Sequence, residues 1–149
     1  MKIDIADLPE QKIIYQRRIG KYGIANHAFM EYFKQWLMSQ KLLDEAAVVL
    51  AIPQDHPEQT VPEKCRYDVA LVVDSFANYP EMNQAILPAG KYAVFTMAHT
   101  AEAMSQTFEK MNDTLISAGY FIDPKRPLIE RYALRLVNQN QCQLCVPVE

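Results

Sequence analysis

The order strand, helix, strand, strand occurs twice in this chain, and the second occurrence follows the first at a fixed distance. Displaced by 78 positions, Met30-Glu-Tyr-Phe33 lies over Phe108-Glu-Lys-Met111, Leu37-Met-Ser39 over Leu115-Ile-Ser117, and Leu43 over Phe121. Element order and core positions that agree together indicate a duplicated unit. Two such units would each hold strands with a helix against them and pair about a pseudo-twofold axis. The expected fold is therefore α+β, with antiparallel sheets, a central ligand cleft between the halves, and one domain over 1–149 with halves at about 10–75 and 82–148.

Local patterns define the elements. Residues 2–8 form a lead-in strand that stops at Pro9, and Gln11–Ile19 alternates as a strand should. From Ile24 to about Gln40, Ala25, Ala28, Phe29, Tyr32, Phe33, Trp36 and Leu37 fall at helical spacing and predict a wide apolar stripe. Strands are expected at 46–52, 65–73, 82–87 and 91–98, with an exposed proline-rich loop from Pro53 to Pro62. Thr100 can cap a second helix whose stripe is Ala101, Met104, Phe108, Met111 and Leu115, with Gly119 as its stop. A strand over 127–136 and a last one over 141–148 complete the second unit.

The 127–136 segment carries the most suggestive chemistry. As a strand, it places Leu128, Glu130, Tyr132 and Leu134 on one face, and Ile129, Arg131, Ala133 and Arg135 on the other. A carboxylate alone on an apolar, aromatic face must be solvated by a cavity, paired with a cation or protonated. A strand end that lets Glu130 reach water is the plainer reading. In the displaced register Ile52 lies over Glu130, so an acid would enter the cleft from one half only.

Other motifs carry less. Cys142 and Cys145 would point to opposite faces of a strand, His27, His56 and His99 are scattered, and no phosphate loop or nucleophile elbow is present. No metal and no cofactor are expected. A net charge of −3 supplies no basic field for direct nucleic-acid binding. No apolar run approaches a membrane span and the N-terminus does not resemble a signal peptide, so a cytoplasmic protein is expected. Tyr15, Tyr22, Tyr67, Tyr92, Phe95 and Tyr132 lie on or beside strands, and Trp36 on the first helix. Most should be core, but several around one carboxylate would attract an organic cation.

Taken in order, Gly20-Lys-Tyr22, Pro62-Glu-Lys-Cys-Arg-Tyr-Asp68, Ala89-Gly-Lys-Tyr-Ala-Val94, Ile129-Glu-Arg-Tyr132 and Cys145-Val-Pro-Val148 resemble the GyrI-like small-molecule-binding domain, also the effector-binding half of some AraC- and MerR-type regulators. The resemblance covers essentially the whole chain. It implies a groove for hydrophobic, often cationic, compounds against a buried glutamate at Glu130, followed by an aromatic at Tyr132; the candidate walls are Tyr132, Tyr67, Phe95 and Trp36. The family's Gly-Pro and Gly-Gly are replaced by Gly20-Lys21 and Ala89-Gly90, and Ala51-Ile-Pro-Gln54 makes one wall less aromatic. No helix-turn-helix accompanies the domain within these residues, so a complete one-component regulator is not expected. The leading expectation is a stand-alone, sequestering or stress-protective binding protein. The alternatives are an inhibitor with DNA gyrase as partner, as the family name suggests, and a hydrolase of strained, reactive toxins in which Glu130 activates water.

Overall fold

The computed structural model describes residues 2–149 and is α+β. Its elements are β1 (Lys2–Leu8), β2 (Gln11–Ile19), α1 (Ile24–Ser39), β3 (Val48–Pro53), β4 (Arg66–Val73), β5 (Asn83–Leu87), β6 (Gly90–Ala98), α2 (Ala101–Ser117), β7 (Ile129–Ala133), α3 (Leu134–Val137) and β8 (Gln141–Pro147). The eight strands form one sheet in the order β1-β6-β8-β7-β3-β4-β2-β5, antiparallel at every junction.

That order is a palindrome. Exchanging β2 with β6, β3 with β7, β4 with β8 and β1 with β5 returns the same sheet, so the duplication is expressed as a pseudo-twofold axis between β3 and β7. The two halves contribute to one continuous sheet rather than facing each other as separate ones. Each unit also lends its leading strand to the other: β1 pairs with β6, and β5 with β2. Pro9 and Pro88 mark the break in each leading ribbon, since proline has no N–H to give a ladder. Leu8 pairs with Gly90 and Gln11 with Leu87, so pairing resumes across the two breaks and curls the sheet on itself.

Alternation along the strands separates two faces. Ile13, Leu50, Ile52, Ala70, Leu87, Tyr92, Val94, Ile129 and Cys145 pack together inside the curl. The opposite face carries one apolar cluster under α1 and another under α2. Cys142 and Cys145 fall on opposite faces, as strand geometry requires.

Both helices are narrower in contact than their apolar patterns suggest. In α1 the buried residues are Met30, Phe33 and Leu37, whereas Tyr32 is 68% exposed and Ala25 and Ala28 face solvent. In α2 the buried residues are Met104, Thr107 and Leu115, with Phe108 and Met111 partly buried and Ala101 exposed; the Thr107 hydroxyl donates to the Ala103 carbonyl at 2.8 Å. Thr100 caps α2 as expected, accepting from the Ala103 amide at 3.1 Å. Each helix ends in the same motif: Leu42 N–H reaches Leu37 O, and Tyr120 N–H reaches Leu115 O. The left-handed position is Gly119 in α2 but Lys41, with φ 58°, in α1.

The segment expected as one strand over 127–136 divides at Ala133. Beyond it Leu134 N–H donates to Ala47 O at 3.0 Å, past the β3 ladder, and Leu134–Val137 closes a helical turn. Leu134 leaves the ladder there but still packs with Tyr132 against the cluster under α1, on the face where its sequence position placed it.

Candidate functional site

Glu130 lies on the helix-bearing face, because its cross-strand neighbours there are Ala51 on β3 and Leu144 on β8. Ile52, expected as its counterpart, belongs to the inner cluster with Leu50 and Ile129. The displacement of 78 holds for the helices, but β2 and β3 require one residue more to meet their counterparts β6 and β7. Ala51 is the counterpart of Glu130, and the two also pair with each other, which puts Glu130 beside the pseudo-twofold axis. The expected one-sidedness survives this correction, since alanine offers no second acid.

Among the described residues, Glu130 forms no ion pair. Its Oε1 accepts a 2.6 Å hydrogen bond from the Tyr132 hydroxyl two residues along the same strand face. Burial pushes the carboxyl above its usual pKa; the Tyr132 hydrogen bond acts in the opposite sense and is the smaller effect. Burial first, and then the Glu130 charge, push the Tyr132 and Tyr67 phenols upward, so both remain hydrogen-bond donors at neutral pH. The same two causes push the Cys142 thiol up to about 11, and burial pushes Cys145 up to about 11 as well. Neither cysteine is a thiolate nucleophile at neutral pH.

The five residues singled out from sequence have different places. Tyr132 packs against both helix-side clusters and joins them. Tyr67 lies on the same sheet face, buried, with Tyr22 edge-on against it at 6.1 Å. Trp36 is half-buried on α1 and stacked on Phe33 at 6.1 Å. Phe95 shares the face but is fully buried and reaches Glu130 only through Leu144. The Tyr22 hydroxyl donates to the Arg66 carbonyl and accepts from the Asp55 amide, while Arg66 pairs with Asp55 at 2.9 Å, so this cluster holds the 53–62 loop.

Beside Tyr132 lies a cavity of about 100 Å³, lined by Lys34, Leu43, Val49, His99, Tyr132, Leu134 and Val137. The His99 ring sits 5.5 Å from that of Tyr132, and burial, then Lys34, hold its pKa below the usual value. Sequence reasoning weighed His99 only as a metal ligand and did not single out Lys34. The 134–137 turn, invisible to alternation, is what brings this wall together. A cavity of about 410 Å³ opens elsewhere, beside Leu42, Asp44, Asp74 and Tyr79. Its lining does not include Tyr132, and Glu130 lines neither cavity.

Comparison with known proteins decides the family. The model of the GyrI-like small molecule binding domain matches residues 1–149. The chain belongs to the GyrI-like family. A GyrI-like chain this size also aligns end to end with the SPbeta prophage-derived protein YosT of Bacillus subtilis (strain 168), whose name marks it as a candidate transcriptional regulator. The two are 38% identical over 156 residues, covering all of both chains. The GyrI-like fold recurs in EcmrR from a DNA complex, with a TM-score of 0.76 and 14% identity over 99% of this chain. The chain spans 57% of that EcmrR chain. It recurs again in SAV2435 bound to tetraphenylphosphonium, with a TM-score of 0.67 and 16% identity over 100% of this chain and 94% of that one. At these identities the structural likeness shows the fold. Among the described residues of this GyrI-like chain, no helix is long and apolar enough to cross a membrane.

Proposed function

We propose that this GyrI-like domain binds lipophilic organic cations between α1 and α2, with Glu130 supplying the counter-charge, and acts as a sequestering protein. The observation that carries this reading is the Glu130 carboxyl itself. It is desolvated, has no ion pair among the described residues, and accepts its hydrogen bond from a neutral hydroxyl. An arriving cation would supply the charge the site lacks, and the rings of Tyr132, Tyr67 and Trp36 would offer π-faces to its substituents. Phe95 would support that wall from behind Leu144. SAV2435, a structural neighbour, is bound to a cation of this class, which supports the choice of ligand.

A cavity of about 100 Å³ is smaller than the roughly 300–1,000 Å³ of drug-sized sites. Glu130 stands outside its lining, so binding would displace the Tyr132 hydroxyl and widen the space beside Lys34 until it reaches the carboxylate. Lys34 is tethered weakly, at 3.4 Å from Glu31, and can swing outward.

Titration of tetraphenylphosphonium against wild type and Glu130→Gln, followed by Trp36 fluorescence, tests the reading. Saturable binding that weakens at least tenfold in the variant is expected; equal affinity in both, or no binding by either, overturns it. Consumption of a strained electrophile by wild type and not by Glu130→Gln would favour hydrolysis over sequestration.

A further inference from the structure

The inner face of the sheet, away from the helices, breaks the pseudo-twofold symmetry in its charges. In the first half, Arg17 on β2, Asp68 on β4 and Ile52 on β3 are successive cross-strand neighbours. In the second half the corresponding row is Thr96 on β6, Gln143 on β8 and Arg131 on β7. Arg17 grips Asp68 with two hydrogen bonds, at 2.7 and 2.8 Å, and Gln54 adds a third at 3.0 Å, so that row is internally neutral. The second row retains a guanidinium but has an amide where the first has its carboxylate.

Arg131 is consequently a half-buried cation without an acid. Among the described residues it forms no ion pair. Of its five N–H donors, Nη1 donates to Gln143 Oε1 at 2.8 Å. Gln143 Nε2 in turn donates to Thr96 Oγ1 at 3.2 Å, so the Thr96 hydroxyl meets Gln143 as an acceptor and keeps its own proton to donate. Burial disfavours the Arg131 charge, and the positive charge of Arg135 adds to that. Buried charge without a partner is costly, and a planar fork of free donors matches an oxyanion bidentately.

We propose that Arg131, Gln143 and Thr96 form an oxyanion site that takes a carboxylate or phosphate group on the inner face of the curled sheet. Gln143 holds the guanidinium by Nη1, which leaves its remaining edge to grip the anion. The Thr96 hydroxyl is the second donor. This site is separate from Glu130, which lies on the other face of the same strand, so its test does not depend on cation binding.

Inorganic phosphate and acetate are titrated separately into the whole chain at constant ionic strength, with the arginine Nε–H signals followed by NMR. One signal, assigned by its loss in Arg131→Gln, should move saturably with at least one of the two anions, and the anion that saturates lower identifies the source group. The Arg17 signal, occupied by Asp68, should stay in place. Gln143→Glu supplies the missing acid from within and should weaken anion binding at least tenfold in a folded protein, which keeps the test decisive if Arg131→Gln folds poorly. Linear drift of Arg131 matching that of exposed Arg135, or undiminished binding by Gln143→Glu, would overturn the site.

Discussion

Glu130 and Ala51 are cross-strand partners across the β3–β7 junction, and each occupies the other's position in its own half of the duplication. A residue on a pseudo-twofold axis meets its own counterpart, so duplication would bring two identical side chains face to face there. Two carboxylates so placed could not both ionise without a large cost. The pair of one acid and one alanine resolves that conflict and leaves a single acid at the junction.

Cation binding should follow the ionisation of Glu130. Burial raises its pKa, and a cation binds the carboxylate, so affinity should climb as pH rises from the ordinary carboxylate range through the raised value, and then level off. Protons should be released on binding below that plateau. The linked stability has the opposite sense. The folded state holds the proton more tightly than the unfolded state, so stability falls as pH rises from about 4.3 to the raised pKa. Glu130→Gln should abolish both slopes, as tetraphenylphosphonium titration and denaturant unfolding between about pH 4 and pH 8 would register.

Tyr132→Phe removes the hydroxyl that donates to Glu130 at 2.6 Å. The variant should lose about 1–3 kcal/mol of stability at neutral pH, and its Glu130 carboxyl should titrate higher than in wild type. The carboxyl carbon shift of labelled Glu130, followed against pH, checks the second point. An unchanged titration would show that the hydrogen bond does not form in solution.

Asp68→Asn should be among the most damaging single polar substitutions. Asp68 is 2% exposed and neutralises Arg17, which is itself partly open to water, so the loss of its charged hydrogen bonds should cost about 1.5–3 kcal/mol. Asp55→Asn breaks the pair with the more exposed Arg66 and should cost about 1 kcal/mol or less. Urea unfolding of the two variants side by side measures the contrast.

Lys41→Gly should stabilise the chain by about 0.5–1 kcal/mol. Lys41 holds the left-handed C-terminal position of α1, with φ 58°, where α2 has Gly119, and a Cβ is disfavoured there. Gly119→Lys should do the reverse. Thermal melts of both variants, moving in opposite directions from wild type, are the expected result.

The sequence by itself determined the duplication, the order of elements, the helix stops and the presence of one acid on an apolar strand face. These are local properties, written in spacing and alternation, and they transfer to the fold nearly residue by residue. Only the tertiary structure decided which segments share a ladder. The union of both halves in one sheet, the exchange of β1 and β5, and the bend at Leu134 depend on backbone hydrogen bonds that carry no side-chain pattern. The same is true of Ala51 rather than Ile52 opposite Glu130: a uniform displacement cannot register a one-residue difference between α1 and β3, yet one residue reverses the face. The partners of the charges were decided there too. Arg17 and Asp68 are 51 residues apart in the chain and adjacent in the sheet, while Tyr132 closes over Glu130 from the same strand. Whether a buried acid meets a cation or a hydroxyl depends on what the folded chain brings within three ångströms of it, and there the structure placed a phenol.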